Sequence, residues 1–187
     1  MKYLISVFLL LNLFFVNAQE IEMEFINQFQ LIVDEFIGVD EFENIYYIKN
    51  NTFYKKGTKE TISYTNTQLG KITSVDIKNP LKIVLFYSDF NTVILLDNKL
   101  NELSNRIDFN EELFSKNISL LEGSSNNNLW IYSLDDNTLQ LYNYKAKKVG
   151  FTSQSLSFSK TDFKAKQLVS SYKNCWLIGE NNILEFN

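Results

Sequence analysis

Carboxylates are the side chains of this sequence that could do catalytic chemistry. The 187 residues include no histidine, which removes Ser-His-Asp and Cys-His arrangements, imidazole bases and histidine-based zinc sites. The single cysteine, Cys175, lies in an apolar run, where a thiol is usually a small core residue. Glycosidases use pairs of acidic side chains. The candidate acids here are Asp40, Glu41, Glu43, Asp76, Asp89, Asp97, Asp135 and Asp136.

A structural role suits most of these acids better than catalysis. They fall in expected turns, where an aspartate caps the backbone two residues further on. Arg106 is the only arginine available to clamp a substrate. The run from Leu134 to Asn137 offers oxygen ligands for calcium but lacks the spacing of a calcium-binding loop. We therefore predict a protein that is not an enzyme, with no catalytic, cofactor-binding or metal residues.

The composition predicts a folded domain with little affinity for phosphates. Hydrophobic residues make up 45% and aromatic residues 15% of the chain. Lys and Arg total 18 against 22 Asp and Glu, which gives a net charge of -4 and argues against a nucleic-acid partner. Six glycines and one proline accompany 23 asparagines. Asparagine is therefore expected to supply many of the left-handed turn conformations.

The N-terminus predicts export. Residues 1–18 comprise a lysine, an apolar run from Leu4 to Val16 and the small-residue end Val16-Asn17-Ala18, which is typical of a cleaved signal peptide. The apolar run is shorter than the roughly 20 residues of a membrane-spanning helix. We expect no integral membrane segment after cleavage. Export without disulfides favours the bacterial periplasm, with secretion or association with the outer membrane as the alternatives.

Four copies of one pattern follow the signal peptide. Each copy has an apolar strand-like run, an asparagine turn and a second run. The first runs begin at Asn44, Lys82, Asn128 and Asn174, and the turns lie at Asn51, Asn91, Asn137 and Asn182. The first runs are 38, 46 and 46 residues apart. A period of this size holds about four short strands, which is one blade of a β-propeller.

The predicted fold class is all-β: a β-propeller-like array of about four antiparallel four-stranded blades, with the last blade incomplete. The repeat domain is expected at 36–187, after a lead-in segment at 19–35. The blades are expected at 36–66, 71–108, 117–153 and 166–187. The second blade includes a predicted outer strand from Glu102 to Ile107, and residues 108–116 are expected to form one or two helical turns.

Two features of the ends of this array stay open. The lead-in from Glu20 to Val33 is expected to form either a strand or a short helix, and as a strand it would complete the last blade. The sequence stops within its fourth repeat, which suggests a fragment of a longer ring.

Aromatic residues recur at matching positions of the repeats, which is what packing between blades requires. Those expected to alternate outward form the possible interface, since tyrosine and tryptophan anchor binding surfaces. The possible interface residues are Tyr47, Tyr54, Tyr87 and Tyr132.

The third and fourth copies carry a family resemblance. The segments at 127–132 and 174–186 resemble the propeller repeat in periplasmic sensor regions of Bacteroidota two-component regulators. The whole exported chain is also similar to small Bacteroidota propellers, some associated with the type IX secretion translocon. The second resemblance implies a protein-binding envelope component.

These expectations combine into one functional prediction. The chain is a non-enzymatic periplasmic scaffold that binds protein partners in a cell-envelope assembly, such as the type IX secretion system. The alternatives are a sensory ligand-binding module and a carbohydrate-active enzyme.

Overall fold

The structure is a computed structural model that describes residues 23–25, 28–112, 116–158 and 163–187. The chain divides into two compact units, Met1–Ile32 and Val33–Asn187. In the first unit, residues 23–25 and 28–32 are neither helical nor extended in a sheet. The strand or helix expected between Glu20 and Val33 is therefore absent from its described part. The predicted signal peptide lies outside the described residues.

The second unit consists of four antiparallel sheets, each built from strands that are consecutive in the chain. Sheet one has β1 (Glu35–Val39), β2 (Ile45–Lys49), β3 (Thr52–Lys56) and β4 (Thr61–Tyr64). Sheet two has β5 (Ser74–Asp76), β6 (Ile83–Tyr87), β7 (Thr92–Leu96) and β8 (Ile107–Asp108). Sheet three has β9 (Ile118–Gly123), β10 (Asn128–Ser133), β11 (Thr138–Asn143) and β12 (Lys148–Thr152). Sheet four has β13 (Gln167–Ser170), β14 (Cys175–Ile178) and β15 (Ile183–Phe186).

Each sheet packs its apolar face against the next sheet, so the core is divided into three layers. The layer between sheets one and two contains Tyr46, Phe53, Leu85 and Tyr87. The layer between sheets two and three contains Phe86, Val93, Leu121 and Ile131. The layer between sheets three and four contains Trp130, Leu139, Cys175 and Leu177. The second strands β6 and β10 are covered on both faces, which explains their continuous apolar sequences.

The predicted all-β array of four blades with an incomplete last blade is confirmed. Sheet four contains three strands. The expected helical turns after Asp108 are present as α1, Phe109–Glu112. The prediction of a continuous outer strand from Glu102 to Ile107 is wrong. Glu102 forms an isolated bridge with Leu96, and pairing with β7 resumes only at Ile107.

Asparagine supplies the left-handed turns, as the composition predicts. Nine non-glycine residues of the described chain have positive φ, and six of them are asparagines. Asn51, Asn91 and Asn137 occupy equivalent turns between the second and third strands of their sheets, with φ of 56°, 47° and 52°. Asparagine tolerates this conformation better than other residues with a β-carbon.

These three asparagines also fasten each sheet to the next, and we call them the latch asparagines. Asn51 Nδ2 donates to the carbonyl of Gly70 at 2.7 Å, and Ile72 N donates to Asn51 Oδ1 at 3.0 Å. Asn91 Nδ2 likewise donates to Lys116 O at 3.1 Å, and Ile118 N donates to Asn91 Oδ1 at 3.0 Å.

The third latch differs in one bond. Asn137 Nδ2 donates to Phe163 O at 3.1 Å, while its Oδ1 accepts the hydroxyl of Tyr132. In every case the turn of one sheet holds the backbone that leads into the following sheet.

Candidate functional site

Asp40 and Asp97 cap turns, as the sequence predicts for the candidate acids. Asp40 Oδ1 accepts the backbone N–H groups of Phe42 and Asn44, both at 2.9 Å. Asp97 Oδ1 accepts those of Lys99 and Asn101, both at 2.8 Å. The backbone hydrogen bond from Asn101 lowers the pKa of Asp97 below its usual value. The carboxylate oxygens of Asp40 and Asp97 therefore stabilise the loops in which they lie.

Asp135 and Asp136 are also bound by other groups of the chain. Asp135 Oδ2 accepts Asn117 N at 2.8 Å. Asp136 accepts the Thr138 hydroxyl at 2.9 Å and pairs with Lys116 at 2.7 Å. Within the described residues, no group of three or more cysteines, aspartates and glutamates is arranged to hold a metal ion. In this oxygen-rich turn, the two carboxylates thus bind the backbone of Asn117 and the side chains of Thr138 and Lys116.

Asp76 also belongs to a partly buried cluster of charges at the junction of sheets two and three. Lys78 Nζ lies 2.6 Å from Asp76 Oδ2 and 2.7 Å from Glu122 Oε2. The side chains of Asp76, Glu122 and Lys78 are 7%, 19% and 30% exposed. We call these three residues the ion cluster. Glu122 and Lys78 were not among the residues singled out from the sequence.

Backbone geometry holds the cluster in place. Asp76 ends β5, and its Oδ1 accepts Lys78 N at 2.8 Å. Its Oδ2 accepts Gly123 N at 2.8 Å. A β-carbon added at Gly123 would lie 2.5 Å from Asp76 Oδ2, so only glycine allows sheet three to approach this carboxylate. Tyr172 follows β13 and donates its hydroxyl to Lys78 O at 3.1 Å, which brings the third of three sheets to the site.

The environment of the cluster perturbs its acid–base properties. Burial, together with the negative charge of Asp76, raises the pKa of Glu122 to about 7, although Lys78 opposes the shift. The pKa of Lys78 is raised: burial opposes this, and the charges of Glu122 and Asp76 outweigh it. Near neutral pH the cluster therefore takes up or releases one proton at Glu122.

Glu122 should make the stability of the fold depend on pH. The folded chain keeps this proton up to about pH 7, whereas an unfolded glutamate releases it near pH 4.5. The protonated Glu122 thus stabilises the fold by about 3 kcal/mol. This contribution is fully present below pH 4.5 and is lost as the pH rises from 4.5 through 7. In urea unfolding between pH 4.5 and 8, we expect Glu122→Gln to remove this part of the decline.

A glutamate on the surface provides the control for that measurement. Glu180, whose side chain is 76% exposed, pairs only loosely with Lys166 at 3.2 Å. Glu180→Gln should leave the pH profile of unfolding unchanged. Parallel profiles for the wild type and Glu122→Gln would contradict the proposed titration of Glu122.

A groove runs beside the ion cluster, lined by the first strand of every sheet. It has a volume of about 300 Å³, and we call it the central groove. Its lining includes Phe36 of β1, Ser74 of β5, Glu122 of β9 and Leu168 of β13. Each of these strands is the terminal strand of its sheet. Their outer backbone edges therefore have no partner within the sheet, which suits them to hydrogen-bond an extended chain.

The face of sheet one that points away from sheet two carries one exposed and two half-buried aromatic side chains. Tyr47 pairs across the sheet with Phe36 on one side and Tyr54 on the other. The rings of Tyr47 and Tyr54 stack with centroids 5.0 Å apart, and Phe36 is 57% exposed. Their neighbours Tyr46 and Ile48 face sheet two, so these three rings face away from it. We call Phe36, Tyr47 and Tyr54 the tyrosine face.

The other two tyrosines expected at an interface are buried. Tyr87 and Tyr132 are 0% and 2% exposed. The expectation that they point outward is wrong, because β6 and β10 are inner strands covered by neighbouring sheets on both faces. Cys175 is also fully buried, and burial raises the pKa of its thiol to about 12. This environment fits the small core residue that the sequence predicts.

No helix within the described residues has the length and apolar character needed to cross a membrane.

Comparison with known proteins identifies similar folds. The sequence matches no protein-family model and no curated protein sequence. A catalytically inactive virginiamycin B lyase from Staphylococcus aureus, solved with quinupristin, is similar over 81% of this chain and 54% of its own, with 7% identity and a TM-score of 0.55. YCF48 bound to the D1 peptide is similar over 79% of this chain and 47% of its own, with 11% identity and a TM-score of 0.52.

A third similar structure is PorZ, a surface component of the type IX secretion system of Porphyromonas gingivalis. It covers 82% of this chain and 20% of its own, with 12% identity and a TM-score of 0.46. The chain spans about half the length of the lyase. At these identities the likeness concerns the fold alone: this chain has an all-β, propeller-like fold.

Proposed function

We propose that this chain is a non-enzymatic scaffold that binds other proteins in a cell-envelope assembly. The tyrosine face carries the proposal. Three aromatic rings, of which Phe36 is 57% exposed and the two tyrosines are half-buried, occupy the face of sheet one that sheet two does not cover, beside the central groove. Rigid aromatic side chains on a pre-formed sheet lose little conformational entropy when a partner covers them, and they dominate the binding energy of many interfaces.

The predicted export signal supports the periplasm as the compartment. The sequence resemblance to small exported propellers supports a secretion apparatus, such as type IX, as the assembly. The fold is compatible with this role, because YCF48, a protein of similar fold, was solved with a bound peptide.

Affinity capture from native envelopes tests the proposal. The tagged full chain is expressed in its own cells and compared with Tyr47→Glu/Tyr54→Glu, which places two charges on the tyrosine face. A matched control, Phe90→Glu/Leu134→Glu, adds the same charges at residues that are 48% and 52% exposed. These two residues lie in turns outside sheet one. We expect the tyrosine variant to lose a partner that the control retains. Equal recovery of all proteins by the three baits would refute the proposal.

A carbohydrate-active enzyme is the second candidate, and the ion cluster favours it. Asp76 and Glu122 both contact Lys78 beside a cavity, and the raised pKa of Glu122 suits a general acid. Hydrolysis of a glycan that Glu122→Gln abolishes would establish this function.

A sensory module is the third candidate, favoured by the central groove with its polar and apolar lining. A rise in melting temperature with small glycans, from a chain that captures no protein partner, would support this reading.

A further inference from the structure

A second groove opens between the outer parts of sheets two and three, away from the tyrosine face. Its volume is about 590 Å³. One wall is the segment Leu103–Ile107, which leads into β8, and the other is the turn from Tyr144 to Lys147 between β11 and β12. We call it the basic groove.

An irregularity in sheet two opens this groove. Leu103 N donates to Leu95 O at 2.8 Å, and the next paired residue is Ile107, opposite Val93. Residues 103–106 thus face only residues 94 and 95 of β7, so the outer strand bulges away from the sheet. Bulges of this kind expose side chains and are frequent beside binding sites.

Positive side chains line the groove. They include Lys82, Arg106 and Lys145, and no carboxylate is part of the lining. These three cations form no ion pair in the part of the chain that the structure describes. Burial and the nearby charge of Lys145 lower the pKa of Lys82, although Asp76 opposes the shift. The positive charge of this groove contrasts with the net charge of the whole chain, which is -4.

Apolar surface lies next to these cations. Leu81 and Leu103 are 64% and 49% exposed at the rim. Tyr144 forms part of the wall, fixed by a hydrogen bond from its hydroxyl to Asn127 Oδ1 at 2.8 Å. The Lys82 ammonium lies 5.7 Å from the centre of the Tyr144 ring. A ligand here therefore meets positive charge and exposed leucines together.

We propose that the basic groove binds an acidic segment of a partner protein, with carboxylates at Lys82, Arg106 and Lys145 and an apolar side chain on Leu81 and Leu103. The exposed leucines favour a peptide over a sulfated polysaccharide or a nucleic acid, which would leave them uncovered. The inference rests on the proposed protein-binding function and adds a second contact, distinct from the tyrosine face.

Fluorescence anisotropy of the full chain with a labelled eight-residue peptide of alternating glutamate and leucine tests this site. Its matched peptide of alternating lysine and leucine should not bind. Lys82→Glu/Lys145→Glu should weaken binding of the acidic peptide about tenfold or more, since both contacts become repulsive. Lys59→Glu/Lys99→Glu, with the same charge change at exposed lysines outside the groove, should not.

Three results would overturn the inference: no binding of the acidic peptide, equal loss in both variants, or tighter binding of heparin or single-stranded DNA through the same lysines. The two proposals can fail separately. Peptide binding without a partner lost from Tyr47→Glu/Tyr54→Glu would refute the tyrosine face alone. Loss of that partner without peptide binding would refute the basic groove alone.

Discussion

Replacing Lys78 with methionine is expected to lower the free energy of unfolding by about 2 to 4 kcal/mol at pH 8. Methionine keeps most of the side-chain volume but leaves Asp76 and Glu122 buried without their shared cation. The partial exposure of Lys78, at 30%, places the cost at the lower end of the range for buried ion pairs. Urea denaturation monitored by tryptophan fluorescence measures the change.

The pH dependence of the Lys78→Met effect distinguishes this mechanism from a loss of packing. At pH 5 Glu122 is protonated with or without the lysine, so Lys78→Met leaves only Asp76 as a charge without its partner, and the penalty shrinks. Adding Glu122→Gln should recover part of the stability at pH 8, because one of the two unpaired charges is gone. A penalty that is equal at pH 5 and pH 8, and that Glu122→Gln leaves unchanged, would contradict the proposed cluster.

Asn91→Ala is expected to lower the free energy of unfolding by about 2 to 3 kcal/mol. Alanine removes both latch bonds and leaves Lys116 O and Ile118 N without their side-chain partner, at a cost of about 1 kcal/mol each. It must also adopt a φ of 47°, which costs about 1 kcal/mol for a residue with a β-carbon. Chemical denaturation again provides the measurement.

Two further variants separate these contributions. Asn91→Gly keeps the left-handed conformation and loses only the latch, so it should recover part of the stability. Asn50→Ala tests the conformation alone, because Asn50 has a φ of 50° in an exposed turn position outside the latches. An Asn91→Ala effect no larger than that of Asn50→Ala would show that the latch bonds contribute nothing measurable.

The repeat architecture is predictable because its physical causes are local. Strands such as Asn128–Ser133 combine high β-propensity with asparagine turns, and the turns recur in register. The same periodicity marks Asn51, Asn91 and Asn137 as equivalent. It cannot reveal that their amides bind the next sheet, because those partners lie 19 to 27 residues further along the chain.

The candidate site is harder to predict because it depends on contacts between sheets. Glu122 is one charged residue at the end of an apolar strand, where it is indistinguishable from a solvent-exposed charge. Asp76 and Glu122 are nevertheless 46 residues apart, the same step as between Lys82 and Asn128. They pair with Val84 and Trp130 at matching positions of β6 and β10, so aligning the repeats residue by residue could have brought them together.

The outward direction of an aromatic side chain depends on the position of its sheet in the array. Tyr47 and Tyr54 lie on the terminal sheet and are half-buried, whereas Tyr87 and Tyr132 lie on sheets with neighbours on both sides and are fully buried. Alternation along a strand separates its two faces, but only the order of the sheets decides which face is covered.

Photocrosslinking in living cells tests protein binding by the tyrosine face most directly. A photoreactive phenylalanine analogue replaces Phe36 on this face or, in a separate strain, Phe90, which is 48% exposed in a turn of sheet two. The predicted result is one discrete protein adduct from position 36 that disappears when Tyr47→Glu/Tyr54→Glu is added, with no such adduct from position 90. Absence of any adduct at position 36, or the same adduct from both positions, would contradict the account.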